Sequence, residues 1–229
     1  MNAARIAIIC VLAIAAMALW RERQVTLAAA IDTTTWGAVE PSWSPDGKTL
    51  AFSLFGSIWQ VDAAGGEARQ LTTSERYHAH PVWSPRGDKI AFVKGLSPRG
   101  RLPNVGGTLA LVDIATGAES EVKTPFPVAG TLAWSPDASR LVCALRTAEA
   151  PLLYEIRIAD GTATHLQAMP QGFRAMSAWI DVAWNPSREE VFFTAQRGGV
   201  PQVWSVRPGG PPIAVQLPLT HYRPDDIAG

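Results

Sequence analysis

The sequence predicts an all-β fold built by stacking four-stranded units, and two observations lead there. Trp followed by Ser or Asn and then Pro occurs four times, as Trp43-Ser44-Pro45, Trp83-Ser84-Pro85, Trp134-Ser135-Pro136 and Trp184-Asn185-Pro186, at intervals of 40, 51 and 50 residues. A recurring unit of that length marks a repeat architecture. Between these anchors lie apolar runs of about four to six residues separated by Gly or Pro clusters, where a helix would need roughly ten or more periodic residues. No stretch after residue 24 reads as a long helix. One such unit cannot cover its own apolar faces, so neighbouring copies must stack, and function is expected on the shared faces of the stack.

The first unit gives the strands in order. Pro41 leads into Trp43-Ser44, Pro45-Asp46-Gly47 turns the chain into Thr49-Leu50-Ala51-Phe52, Ile58-Trp59-Gln60-Val61 follows, and after Ala63-Ala64-Gly65-Gly66 comes Ala68-Arg69-Gln70-Leu71. Pro presets φ in the turn, Asp supports it through its side chain, and Gly takes the positive φ from which the next strand leaves. The second unit repeats this with Pro81, Trp83 to Gly87, Ile90-Ala91-Phe92, Leu109 to Asp113 and a Thr116-Gly117 turn, its middle strands separated by a long insert. The third carries Leu132 to Asp137, Leu141-Val142-Cys143, Leu153 to Ile156 and Asp160-Gly161, with Ala138 where the turn glycine stands elsewhere. The fourth is the most worn: Ser187-Arg188 replaces Asp-Gly, followed by Val191-Phe192-Phe193, Val203 to Val206 and Gly209-Gly210. The units are expected at about 38–76, 77–127, 128–177 and 178–222 within a domain spanning 38–229.

The run from Pro41 to Phe52, of the form Pro-x-Trp-Ser-Pro-Asp-Gly-x-x-Leu-Ala-Phe, followed by Ile58 to Asp62 and Gly65 to Thr72, resembles the WD40-like propeller repeat of the TolB type. The resemblance is strongest in the first two units and weakest in the fourth. It implies a β-propeller with one four-stranded blade per repeat, usually six or seven blades around a channel. Similar repeats form the non-catalytic propellers of prolyl-oligopeptidase-type peptidases and some amidohydrolases, so the resemblance gives architecture and leaves activity open. Four blades are visible here and no closing strand follows them. An unclosed array leaves the outer faces of its end blades wet. The chain is therefore expected to be part of a longer, open propeller, with a complete four-bladed ring as the alternative. Residues 25–37, a linker, could instead supply a closing strand to a last blade.

Lys plus Arg equals Asp plus Glu at 20 each, and the few basic clusters lack interleaved aromatics, which points away from nucleic acid. Nine Trp are many for 229 residues. Four hold the repeat position, and Trp59 and Trp204 hold matching third-strand positions, so these six read as packing residues. Trp36 and Trp179 lie outside the pattern and are the better surface candidates.

Arg5 precedes an apolar run of fifteen residues, Ile6 to Trp20, then Arg21-Glu22-Arg23-Gln24 and Ala28-Ala29-Ala30. A basic start, an apolar stretch shorter than the ~20 residues of a spanning helix and an Ala-x-Ala option describe an export signal over residues 1–24, with an uncleaved membrane anchor as the alternative. Either way the propeller is placed outside the cytoplasm, in a periplasm, with the membrane touched only through that segment. Cys143 sits in a predicted strand as a small hydrophobe, and no disulfide is expected.

No Gly-x-Ser-x-Gly elbow, phosphate loop, Cys-x-x-Cys pair or His-Glu-x-x-His helix is present, so no catalytic residue, cofactor or metal is assigned. His78 and His80 have metal-ligand flavour, since residues two apart on a strand point the same way, against a polar blade-to-blade connection. The residues three before each repeat Trp are Glu40, His80, Gly130 and Asp181. If first strands line a channel, these gather at one mouth as a ring able to attract a cation or a partner's basic group; otherwise they are solvated strand ends. The insert from Val93 to Thr108, with Lys94, Arg99 and Arg101 and no acid, is a candidate partner loop or a mobile tip. The apolar stretch from Gln167 to Asp181, with Trp179, either covers a channel mouth or links blades. Two readings follow: an exported non-catalytic scaffold binding a protein or peptide, or the propeller part of a larger hydrolase.

Overall fold

The computed structural model describes residues 37–73, 77–96, 106–166, 173–174, 180–197, 200–207, 210–211 and 213–215. The chain divides into two units, Met1–Gly37 and Ala38–Gly229, and every described strand lies in the second. The apolar export segment and Trp36 lie outside the described residues. Among those residues there is no helix.

Among the described residues, seventeen strands form four antiparallel sheets in chain order. The first runs β1 (Val39–Trp43), β2 (Thr49–Leu54), β3 (Ser57–Asp62), β4 (Arg69–Gln70). The second runs β5 (Tyr77–Trp83), β6 (Lys89–Leu96), β7 (Thr108–Asp113), β8 (Glu119–Val122). The third runs β9 (Val128–Trp134), β10 (Arg140–Arg146), β11 (Pro151–Arg157), β12 (Ala163–His165). In the fourth, β13 (Phe173–Arg174) and β14 (Val182–Trp184) both pair with β15 (Val191–Arg197), followed by β16 (Val200–Val206) and β17 (Ile213–Ala214). The fourth sheet thus draws in residues 173–174, ahead of the boundary at 178 that the repeat spacing suggests. This is the blade arrangement of a propeller.

The repeat motif is a side-chain-locked turn. In the first sheet the Ser44 hydroxyl donates to Asp46 at 2.6 Å and accepts the Thr49 N–H, while Asp46 accepts the Lys48 N–H. In the second, Arg86 occupies the Asp position, and Ser84 donates instead to Asp88, two residues later, at 2.9 Å. In the fourth, the Asn185 side-chain oxygen accepts the Ser187 N–H. Ser and Asn are interchangeable here because each offers an oxygen that mimics a backbone turn acceptor.

Strand alternation sends each sheet's side chains to two opposite faces. Ala51 and Ile58 of the first sheet pack against Ile90, Phe92, Ala110 and Val112 of the second. Ala91, Val93, Leu109, Leu111 and Val122 of the second meet Trp134, Leu141, Cys143 and Ile156 of the third. Ala133, Val142, Ala144, Leu153 and Leu166 of the third meet Trp184, Val191, Phe193, Trp204 and Val206 of the fourth. Among the described residues the core is therefore three seams of one design. In each, the repeat Trp sits on the face turned toward the preceding sheet.

Candidate functional site

The inner strands β1 and β5 each carry a bulge just before the repeat Trp, where register slips between Val39 and Ser42 and between Ala79 and Val82. Glu40 and His80 occupy the bulges with φ of 58° and 55°. Side chains other than glycine are strained in that region, and the prolines that follow, Pro41 and Pro81, suit a bulge because they have no N–H for the ladder.

The bulges bring Glu40 and His80 together. Glu40 Oε1 lies 3.0 Å from His80 Nδ1, and Glu40 Oε2 accepts the His80 backbone N–H at 2.6 Å and the Ser53 hydroxyl at 3.2 Å. Burial alone would raise the Glu40 pKa, but the hydrogen bonds and charge of His80, with the Ser53 bond, outweigh it and hold the carboxyl below its ordinary range. The Glu40 side chain stays 31% exposed. Beside it, Tyr77 has its phenol pKa pushed up by burial and by the Glu40 charge.

The order of these groups decides what chemistry they can do. In a nucleophilic triad the imidazole stands between the hydroxyl and the acid, so that it can take the hydroxyl's proton. Here the carboxylate stands between Ser53 and His80, and Ser53 is fully buried. The cluster is an acceptor site and not a nucleophile.

His78 does not join it. The bulge separates the two imidazoles, so they do not face one ligand as an unbroken strand would have them. His78 is fully buried in the seam between the first and second sheets, its ring 4.8 Å from Phe92 and its Nδ1 2.8 Å from Thr72 Oγ1. Thr72 Oγ1 also accepts the Ile58 N–H and can pair with Nδ1 in either tautomer, while Nε2 is buried with no hydrogen-bond partner among the described residues, an environment that favours the neutral imidazole. Burial lowers the His78 pKa, with the Lys94 charge acting the same way and Glu119 opposing. Among the described residues no group of three His, Cys, Asp or Glu could hold a metal ion.

Gly130 adds no side chain beside Glu40 and His80. Gly130 bridges Ile180 in parallel, and a Cβ there would come within 2.4 Å of the Ile180 carbonyl, so close approach of backbones takes the place of a side chain. Asp181 is exposed, and its carbonyl accepts the Thr194 N–H. Lys94 is not a free cation either: its Nζ lies 3.0 Å from Glu121 and 3.9 Å from Glu119. Both acids come from β8, outside the acid-free insert. Arg99, Arg101 and Trp179 lie outside the described residues. The far end of the insert is tied down, with Gly107 and Val128 exchanging backbone hydrogen bonds across the second seam.

Sequence reasoning missed Arg140. It reaches Glu155 at 3.2 Å and Glu189 at 2.8 Å and lies 5.0 Å from the Trp184 ring, clasping the third seam. It also borders a groove of about 440 Å³ with Arg86, Trp134 and Arg157. Nothing in the repeat motif signals this, because its partners come from three separate elements.

No family model matches the chain. Over 139 residues, 46% of the chain, it is 29% identical to the uncharacterized peptidase YuxL of Bacillus subtilis (strain 168), covering 21% of that protein. Among solved structures it is similar to a putative TolB from Agrobacterium tumefaciens (TM-score 0.65, 21% identity, 80% of this chain and 63% of that one). It is also similar to TolB from Acinetobacter baumannii (0.62, 16%, 78% and 43%) and to an oligogalacturonate lyase in complex with manganese (0.57, 19%, 77% and 51%). The chain thus spans less than two thirds of each of these proteins. At these identities the likeness is one of fold, that of TolB-type propellers.

Proposed function

From that fold, we propose that the chain is an exported, non-catalytic propeller scaffold that binds a protein or peptide partner in the cell envelope. The observation that carries this reading is the Glu40 carboxylate, kept ionised by His80, part-exposed and flanked by Tyr77. Such a group receives a basic side chain or a free amino terminus and has no nucleophile to act on it. Titration calorimetry of the full chain with a panel of lysine-bearing and free-amine peptides, against their acetylated counterparts, tests it. Binding that needs the positive charge and drops about tenfold in Glu40→Gln supports the reading, a charged hydrogen bond being worth roughly 1.5–3 kcal/mol. Binding indifferent to both changes defeats it.

A second reading has one observation in its favour, the partial match to a protein named as a peptidase. In it this segment is the propeller of a larger hydrolase whose chemistry lies in another domain. Peptide cleavage by the product isolated from its native host, absent in the 229-residue chain, would select it.

A further inference from the structure

Each internal seam joins two kinds of face. A leading face, turned toward the preceding sheet, carries the repeat Trp and one set of alternate residues; a trailing face carries the other set. In the second sheet the leading residues Ile90, Phe92, Ala110 and Val112 are at most 1% exposed. Strand pairing matches them to Leu50, Phe52, Trp59 and Val61 of the first sheet, yet all four of those are only half-buried. At their rim Trp43 is 57% exposed, where Trp134 and Trp184 are 8% and 9%.

The opposite end mirrors this. The trailing residues Ala91, Val93 and Leu109 of the second sheet, and Val142, Ala144 and Leu153 of the third, are buried. Their counterparts in the fourth sheet, Phe192, Thr194 and Val203, are only half-buried. Among the described residues no core cluster joins the fourth sheet to the first. Both halves of an interface made three times internally are therefore left without a partner sheet among the described residues.

We propose that these halves meet between two copies of this chain, the fourth sheet of one copy docking head-to-tail on the first sheet of the next. The occupant follows from complementarity. The leading face, with its exposed indole and Phe52, is shaped to take a trailing face of this repeat, and the trailing face at hand bears Phe192 and Val203. Pairing leading face with leading face would set Trp43 against Trp43, an arrangement found in none of the three seams. Head-to-tail pairing is heterologous, so it yields a closed ring of copies or an open string according to the rotation between them. The inference is independent of the partner reading above, because Glu40 and His80 lie at the bulges and not on these faces.

Sedimentation velocity of the full chain across about 1–100 µM, in a detergent that disperses its apolar N-terminus, tests the proposal with Trp43→Glu, Phe192→Glu and their mixture. Thermal melts first establish that each variant folds, which the exposure of Trp43 and the partial exposure of Phe192 favour. The expected result is self-association of the native chain, its loss in each variant, and a dimer on mixing the two, since one intact seam forms between the unaltered faces. A native chain that stays monomeric overturns the proposal. So does association abolished by Trp43→Glu and untouched by Phe192→Glu, which would mean that leading faces pair with each other.

Discussion

The indole N–H of Trp134 donates to the Val82 carbonyl at 3.1 Å, reaching from the third sheet into the inner strand of the second. Trp134 is 8% exposed, while Trp43, at the same repeat position, is 57% exposed with no sheet before it among the described residues. One motif residue therefore has two energetic weights. Trp134→Ala should cost about 3–5 kcal/mol, the range for truncating a buried aromatic, and Trp43→Ala less than about 1 kcal/mol. Urea unfolding of the two variants at equal, dilute concentration measures both; equal losses would contradict the seam assignment.

Ala138 adopts φ 58° at the turn where Gly47 and Gly87 adopt 70° and 71°. A Cβ in left-handed backbone costs roughly 1–2 kcal/mol, partly offset by the lower entropy of the unfolded alanine chain. Ala138→Gly should thus stabilise the protein by about 0.5–1 kcal/mol, seen as a higher denaturation midpoint at unchanged slope. Gly87→Ala should move the midpoint the other way, because its φ of 71° strains any Cβ while the contact that Cβ would make with Pro45 of the neighbouring turn is an ordinary one. A lower midpoint for Ala138→Gly would show that the methyl's contacts with the second seam outweigh its backbone strain.

These two positions also show what the sequence makes legible. Trp-Ser-Pro-Asp-Gly names its own turn, because every hydrogen bond it needs lies within five residues, and period-two alternation is enough to assign the seam faces. The candidate site is a different matter. Counting three residues back from each Trp finds Glu40 and His80, but their pairing depends on two bulges that shift register, and nothing local announces a bulge at Glu40-Pro41 beyond the proline. The same offset lands on Gly130, where the next sheet's backbone lies too near for any side chain. Parity on an unbroken strand also set His78 beside His80, and the bulge is what undoes it. The acids neutralising Lys94 are 25 and 27 residues away in sequence, on β8.

Cys143 is fully buried in the second seam, and burial pushes its thiol pKa up to about 12. The thiolate is the reactive form, so modification at pH 8 requires the seam to open. Labelling of Cys143, followed by peptide mass mapping to separate it from Cys10, should be at least about a thousandfold slower in the native protein than in urea, given the 5–15 kcal/mol typical of folded domains. Trp134→Ala should accelerate it more than Trp184→Ala, because Trp134 shares the Cys143 seam and Trp184 lies in the next. Equal acceleration by both would mean that the two seams open as one cooperative unit.

His78 sets the acid limit of the first seam. Burial, with help from Lys94 and against Glu119, lowers its folded-state pKa, and Thr72 and Phe92 close the site around a neutral ring. The unfolded chain, with an ordinary histidine pKa near ~6.5, then binds the proton first as pH falls. Stability from this residue is fully present above that pH and declines below it, until the folded-state pKa is passed, with a slope of at most about 1.4 kcal/mol per pH unit for one proton. Glu40 acts lower on the scale: its depressed pKa contributes stability above the ordinary carboxylate range that is lost as pH falls through the folded value. Urea unfolding free energies of the native chain and His78→Asn between pH 7.5 and 5 separate the two. The variant, which keeps a hydrogen-bonding group for Thr72 but cannot titrate, should be less stable at pH 7.5 and show a shallower fall below pH 6.5. Parallel curves for the two proteins would mean that the seam admits a charged imidazole, and the neutral ring that burial imposes on His78 would have to be abandoned.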